Sequence, residues 1–327
     1  MKQMTYLEAG REGLAEMMRE DASVWALGED LGRGGVFGQY HGLQTEFGKD
    51  RIADTPISES CILGSAVGAA MMGTRPVVEM RFADFALCAV DELVNQAAKA
   101  RYMFGGQARV PLVVREPSGM WRSSAAQHSQ SLEAWYAHIP GLVVVMPSTP
   151  SDNKSLLKAS IRCDDPVVYL EHKDLWALEG PVDDEADALP LGKARVARPG
   201  EDITIVSWSA MVHHTLDAAK NLSEQGVDAE VIDLRTLWPW DKETIFDSVR
   251  KTGHLLIVHE AVRVGGFGAE IAATVTEHLF ADMKSPPQRL AAPRIPISYA
   301  PTMENEVRIN ADQIVDAALK QIGKTNA

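Results

Sequence analysis

The sequence predicts an α/β protein built as two doubly wound domains, and three observations predict it. Short β-branched apolar runs alternate with helical patterns along the chain. The runs are continuous rather than alternating, as suits parallel strands covered on both faces. The alternation stops at an acidic, Pro- and Gly-rich stretch and then restarts. A chain of 327 residues has room for two cores at roughly 100–200 residues per domain.

The N-terminal MKQMTYLEAGREGLAEMMRED has an amphipathic helix pattern interrupted by charges and does not read as a signal peptide. The strands of the first half are PVVEM (Pro76–Met80), VPLVVR (Val110–Arg115), LVVVMP (Leu142–Pro147) and PVVYLE (Pro166–Glu171). Between the first two, FALCAVDELVNQAAKARYMFGG sets Leu87, Val90, Leu93, Val94, Ala97 and Ala98 on one helical stripe and stops at Gly105-Gly106. The stretch GPVDDEADALPLGKARVARPGE (Gly180–Glu201) has no period and reads as a linker with room for a short strand. Domains are expected at residues 1–185 and 201–327, joined by a linker at 186–200. In the second, DITIVSW, DAEVIDL and HLLIVHE are strands, with helices from about Met211, Asp241, Gly268 and Ala311.

Composition excludes several classes of function. At 46% hydrophobic and 24% charged residues the chain reads as an ordinary folded protein. A net charge of −13 argues against a nucleic-acid partner. Cys61, Cys88 and Cys163 form no Cys-x-x-Cys pair, so neither a disulfide framework nor a zinc site is expected, and a reducing cytoplasm is. The longest uncharged apolar run, Cys61 to Gly73, is too short for a bilayer that needs about 20 residues. A soluble protein is expected.

Two Gly-rich stretches, GRGGVFG (Gly32–Gly38) and RVGGFGAE (Arg263–Glu270), lack both the G-x-G-x-x-G spacing after a strand and the Gly-Lys-Ser/Thr of a P-loop, and read as turns and helix starts. Ser129 and Ser131 flank His128, but no Gly-x-Ser-x-Gly elbow supports a hydrolase. His172, His213, His214 and His254 have no partners at metal-ligand spacing and read as surface or packing residues.

Glu59 stands apart. Thr55-Pro56-Ile57-Ser58 reads as a strand end turning into a helix, with Ser58 as N-cap and Glu59 in the first turn. A helix N-terminus favours the charged carboxylate, whereas the apolar neighbours Ile57, Ile62 and Leu63 favour the neutral acid. That competition suits a proton shared with an acceptor opposite; the plainer reading is a Glu that merely caps its helix. His128, at a loop-to-helix entry after a buried strand, stands where α/β folds place catalytic groups. A hydrogen-bonded core histidine is the alternative.

Taken together, DTPISESCILGSAVGAAMMGTRPVVEM, RFADFALCAVDELVNQAAKARYMFGG, AAQHSQSLEAWYAHIPGLVVVMPSTPSD and DPVVYLEHK resemble the β subunit of the thiamine-dependent decarboxylating component of 2-oxo acid dehydrogenase complexes, a family that includes acetoin dehydrogenase β subunits. VIDLRTLWPWD and IVHEAVRVGGFGAEIAA resemble its transketolase-type C-terminal domain, and the likeness runs from about Thr5 to Ile322.

The resemblance implies a pyrimidine-binding domain followed by a transketolase C-terminal-type domain, with thiamine diphosphate as cofactor. It implies that Glu59 faces N1′ of the aminopyrimidine beside Ile57, and that Phe85 stacks on that ring. A carboxyl bonded to N1′ favours the 4′-imino tautomer, whose nitrogen takes the proton from thiazolium C2. His128 matches the histidine that assists acyl transfer to a lipoyl group. The chain has no Gly-Asp-Gly, its nearest stretch being GED at Gly28–Asp30. The family's α subunits hold Mg²⁺ and the pyrophosphate with that motif, so the resemblance implies that an α subunit supplies them here, in an α2β2 heterotetramer without which this chain is inactive.

The resemblance also maps a structural monovalent cation, K⁺, to Leu112, Ser160, Ile161, Cys163 and Asp165, although Cys163 is a poor ligand for a hard cation unless only its backbone carbonyl is used. FGQYHGL departs from the family's usual version, so His41 either alters the approach to the site or, as the plainer reading, lies on a surface loop. A dihydrolipoyl acyltransferase core is the further partner expected, and among substrates the motifs lean to acetoin over pyruvate or branched-chain 2-oxo acids. A non-catalytic scaffold on the same fold is the alternative, and Glu59 with His128 distinguishes the two.

Overall fold

The computed structural model describes residues 1–183 and 187–324. It separates into two units, Met1–Ser118 with Trp135–Leu191, and Gly119–Ala134 with Gly192–Ala327. Of the expected linker, Ala186 lies outside the described residues, as do residues 184 and 185 of the first expected domain and 325–327 of the second.

An apolar run can form a central strand only where both faces are covered, and the first unit is built that way. β1 (Lys2–Thr5) pairs antiparallel with β8 (Glu179–Val182). The main sheet comprises β2 (Val24–Gly28), β3 (Ile52–Asp54), β4 (Arg75–Glu79), β5 (Val113–Ser118), β6 (Val143–Val145) and β7 (Val167–His172). These run parallel in the order β6-β7-β5-β4-β2-β3. On one face Val24, Ala26, Val77, Val113, Val145 and Val167 form a core with Leu14 and Met18 of helix Tyr6–Glu20 and Leu156 and Leu157 of helix Pro150–Arg162. The alternate residues Leu27, Val78, Val114, Val144 and Val168 point to the other face and are just as buried. Helix Glu59–Met71 packs on β4. Thr5 and Glu8 close a capping box on the first helix, and Thr149 caps Pro150–Arg162 through the Asp152 amide.

Two elements differ from expectation. β5 begins at Val113 rather than Val110, because Pro111 offers no N–H and the Val110 amide is taken by the Asp164 carbonyl. The single helix expected in FALCAVDELVNQAAKARYMFGG is a broken run: Ala83–Ala86 is α, Leu87–Ala89 is 3₁₀, Asp91–Ala97 is π and Ala98–Met103 is α. At the widened turn the Asp91 carboxylate accepts from Asn95 at 2.7 Å and from Gln96 at 3.2 Å, an i to i+5 bridge that the π geometry brings within reach.

The second unit has one sheet in the order β14-β13-β10-β11-β9. Its strands are β9 (Arg195–Arg198), β10 (Ile203–Ser207), β11 (Ala229–Asp233), β13 (Leu255–Val262) and β14 (Gln288–Ala292); the short strand β12 (Thr236–Trp238) is not part of this sheet. All pairs in the sheet are parallel except the antiparallel edge β9, which forms inside the expected linker. Helices Met211–Glu224 and Ala311–Gln321 bury one face through Ile203, Ile205, Val231, Leu256 and Val258. On the other, the Thr204 hydroxyl meets those of Ser248 and Thr252 on helix Lys242–Thr252.

Candidate functional site

Parallel strands deliver their C-terminal ends to one edge of the sheet, where α/β folds bind ligands. In the first unit three such ends converge. Gly28 of β2 is in register with Asp54 of β3 and Glu79 of β4, so the residues that follow emerge side by side. After β3 the chain runs through Thr55-Pro56-Ile57-Ser58 into helix Glu59–Met71. After β2 come Glu29 and Asp30, and after β4 comes Arg81, which pairs with Glu29 at 3.5 Å and with Asp30 at closer range.

Glu59 is the first residue of its helix and half-buried. Among the described residues its carboxyl has no hydrogen-bond donor and no cation. Its charge is felt by Glu29, whose carboxyl is raised above the ordinary range by burial, against the pull of Arg81, with Glu59 and Asp30 adding to the rise. Glu29 belongs to the GED stretch, which lacks the Gly-Asp-Gly motif; no spacing in the sequence announces that it lies beside Glu59. Ser58 takes the N-cap position, but its hydroxyl donates to the Pro56 carbonyl at 3.1 Å and caps nothing. Ile57 is 75% exposed at this edge, while Ile62 and Leu63 are buried beneath it.

Phe85 is half-buried on the short helix Ala83–Ala86. It packs edge-on against Phe82 with centroids 5.4 Å apart, and Phe82 in turn meets Phe37, which lies 4.0 Å from Trp176. This aromatic chain was not legible in the sequence, because its members come from separate segments. The Ser60 hydroxyl donates to the Cys88 carbonyl at 2.7 Å, tying the start of the Glu59 helix to the segment just after Phe85.

Below this edge lies a buried ionic network. Arg115 is fully buried and bidentate to Glu171 at 2.9 and 3.0 Å, with Glu79 at 3.8 Å. Gln39 and Tyr40 of FGQYHGL each donate to Glu79 at 3.0 Å, whereas His41 is exposed. Burial raises the Glu79 carboxyl to about 7 against the lowering effect of Arg115. Its one visible signal was a charged residue ending an apolar run, PVVEM.

Glu59, Ile57 and Phe85 lie in the first unit and His128 in the second. His128 is half-buried, and its backbone N–H donates to Ala125 at 3.4 Å. Neither neighbouring serine makes a hydrolase pair: Ser131 donates to Glu260 at 2.9 Å, and the buried Ser129 hydroxyl has no hydrogen-bond partner among the described residues.

Of the five residues expected around a monovalent cation, Ile161, Cys163 and Asp165 meet guanidinium groups. Arg75 donates to the carbonyls of Ile161 and Cys163 at 3.0 Å each and to the Asp164 carboxylate at 2.8 Å. Arg101 pairs with Asp165 at 2.5 Å. The Leu112 carbonyl accepts from Val167, and the Ser160 hydroxyl donates to Leu156. Burial, with some opposition from the Asp165 amide, raises the Cys163 thiol. Among the described residues no group of three His, Cys, Asp or Glu side chains could hold a metal ion. No helix among them is long and apolar enough to cross a membrane.

Residues 2–177 match the family described as transketolase, pyrimidine binding domain, and residues 192–314 match transketolase, C-terminal domain. The 2-oxoisovalerate dehydrogenase subunit beta of Bacillus subtilis is 46% identical, covering 99% of this chain and all of its own length. The acetoin:2,6-dichlorophenolindophenol oxidoreductase subunit beta of Cupriavidus necator is 44% identical over 94% of each chain. The mitochondrial pyruvate dehydrogenase E1 component subunit beta-2 of Oryza sativa is 44% identical over 97% of this chain and 86% of its own. A solved structure described as a split gene transketolase, inactive beta4 tetramer, superposes with a TM-score of 0.79 over 99% of both chains, a likeness of fold at 20% identity. Identity of this extent, sustained through both domains, shows that the chain belongs to the transketolase-like family of 2-oxo acid and acetoin dehydrogenase β subunits.

Proposed function

We propose that the chain is the β subunit of a thiamine-diphosphate-dependent 2-oxo acid or acetoin dehydrogenase, supplying the aminopyrimidine half of the site and active only with an α subunit. The observation that supports this most is Glu59: a carboxyl at the edge where three parallel strands end, left without a donor or cation of its own among the described residues. Such a group fits a cofactor that presents a ring nitrogen and needs one proton held there. When bound, thiamine diphosphate supplies a thiazolium that takes up the electron pair released as the C–C bond breaks.

The chain's own residues have narrower tasks. Glu59 holds a proton at N1′, which fixes the tautomer of the aminopyrimidine. Phe85 offers a ring for stacking, and the exposed Ile57 offers apolar cover at the same edge. His128 exchanges a proton at the acyl group as it passes to a lipoyl sulfur. Mg²⁺ and the pyrophosphate fall to the α chain, since no Gly-Asp-Gly is present here. We propose an α2β2 assembly that delivers its acyl group to a dihydrolipoyl acyltransferase core. The free cysteines suit the reducing cytoplasm in which we propose it works. The arrangement does not favour K⁺ at Leu112, Ser160, Ile161, Cys163 and Asp165, because an ion there would share carbonyls with Arg75, and no step is routed through it.

The experiment is to purify the chain with its α partner and assay acetoin, pyruvate and 2-oxoisovalerate with thiamine diphosphate and Mg²⁺. Glu59→Gln should lower C–C cleavage by about a hundredfold or more. Turnover within a few-fold of wild type would favour the scaffold reading instead.

A further inference from the structure

We infer that Glu304, seated by Arg308, and Glu260 are positioning residues for His128, acting through the loop that carries it. The inference rests on the acyl-transfer role proposed for His128. Everything it uses lies within the second unit.

The loop between Gly119 and Ser131 is braced at two places. At its neck, the Gly119 amide donates to the Gln130 carbonyl at 3.2 Å. One oxygen of Glu260, on β13, accepts from both the Met120 amide at 2.8 Å and the Ser131 hydroxyl at 2.9 Å. A single carboxylate thus pins the entering and leaving strands of the loop. Met120 is also packed with Ala292 and Val307.

The second brace is at the loop's shoulder. Arg122, Ser123 and Ala125 have φ of 42°, 59° and 62°, left-handed values that cost a non-glycine residue energy and persist only where surrounding contacts enforce them. Glu304 supplies one such contact. It is 3% exposed on helix Pro301–Val307, and its two oxygens divide their work. Arg308 holds Oε1, with Nε at 3.1 Å and Nη2 at 2.5 Å, while Oε2 accepts from the Ser123 amide at 2.8 Å. The charge-assisted bond falls on the middle of the strained turn. From there the chain runs through Ala125, whose carbonyl accepts from the His128 amide, to His128 itself. Without Glu304 the Ser123 amide loses its acceptor, the turn has less reason to stay left-handed, and the imidazole is no longer held to one place.

The test uses the assembled complex with its α partner and three forms of this chain: wild type, Glu304→Ala and Glu304→Gln. Two rates are compared, acylation of a lipoyl domain and reduction of 2,6-dichlorophenolindophenol, a dye that bypasses the lipoyl group. Misplacing a catalytic group by a fraction of an ångström to an ångström costs up to about a hundredfold. Glu304→Ala should therefore lower the ratio of lipoyl acylation to dye reduction about tenfold or more, and Glu304→Gln, which keeps one oxygen for the Ser123 amide but sets its NH2 against the Arg308 donors, should fall between alanine and wild type. Equal loss of both rates, or a glutamine no better than alanine, would overturn the inference.

Hydrogen exchange provides a readout independent of turnover. Backbone amides between residues 120 and 131 should exchange at least about tenfold faster in Glu304→Ala than in wild type, and unchanged exchange would also overturn the inference. If the wild-type complex acylates no lipoyl domain, the proposed function fails while exchange still decides whether the brace exists. Should Glu304→Ala not fold, Glu304→Gln is compared with wild type by the same rate ratio and the same exchange, and an unchanged ratio with unchanged exchange overturns the inference.

Discussion

Replacing Glu79 by glutamine should change how stability depends on pH, by an amount the structure allows to be worked out. Glu79 ends β4, is 5% exposed, and accepts hydrogen bonds from Gln39 and Tyr40. Arg115 stands 3.8 Å away but is committed to Glu171 at 2.8 Å, so it compensates only part of the burial. The carboxyl therefore rises from 4.5 to about 7 on folding. At about 1.4 kcal/mol per pH unit, that rise is worth about 3 kcal/mol.

The sign follows from which state binds the proton. Below pH 4.5 the acid is protonated in both states and its contribution is fully present; as pH climbs toward 7 the unfolded chain releases the proton first, and the contribution is lost. His259, lowered to about 4 chiefly by burial, acts in the opposite sense, adding stability as pH rises from about 4 toward its ordinary value. It is common to wild type and variant, so only their difference reports Glu79. Urea unfolding at pH 4.5, 6 and 8 should show the wild type losing about 3 kcal/mol relative to Glu79→Gln across that range, at equal m-values. A difference that changes by less than about 1 kcal/mol would refute the reasoning.

Two further perturbations act on the scaffold. Gly141→Ala would place a Cβ 1.9 Å from the Ala98 carbonyl oxygen at a residue with φ of 101°; a loss of at least about 3 kcal/mol, or failure to accumulate as soluble protein, is expected from thermal or urea unfolding. Arg75→Ala would strand the Ile161 and Cys163 carbonyls and leave the Asp164 carboxylate to Arg109 alone; a loss of about 1–2 kcal/mol is expected by the same assay.

Much of the fold was legible because burial on both faces leaves continuous apolar runs, and those at β4, β6, β7, β10, β11 and β13 stand out by eye. β5 was displaced because a single proline shifts where pairing can begin. The π segment at Asp91–Ala97 was not legible, since its helical stripe of apolar residues is intact and the departure is a local matter of turn width. Glu59, Phe85 and His128 could be singled out from local sequence and family likeness. The groups around them could not. Glu29 comes beside Glu59 only because parallel strands place their ends together. The carboxylates that brace the His128 loop come from 140 and 181 positions away. Buried charges that form one network in space leave single acidic letters in separate strands, as Glu79 and Glu171 do around Arg115.

The measurement that bears most directly on the central claim is calorimetric titration of thiamine diphosphate with Mg²⁺ into this chain alone, into the chain with its α partner, and into Glu59→Gln with the same partner. Saturable binding with turnover is expected only when both chains are present and Glu59 is intact. Tight binding and C–C cleavage by the isolated chain would contradict a site divided between two subunits.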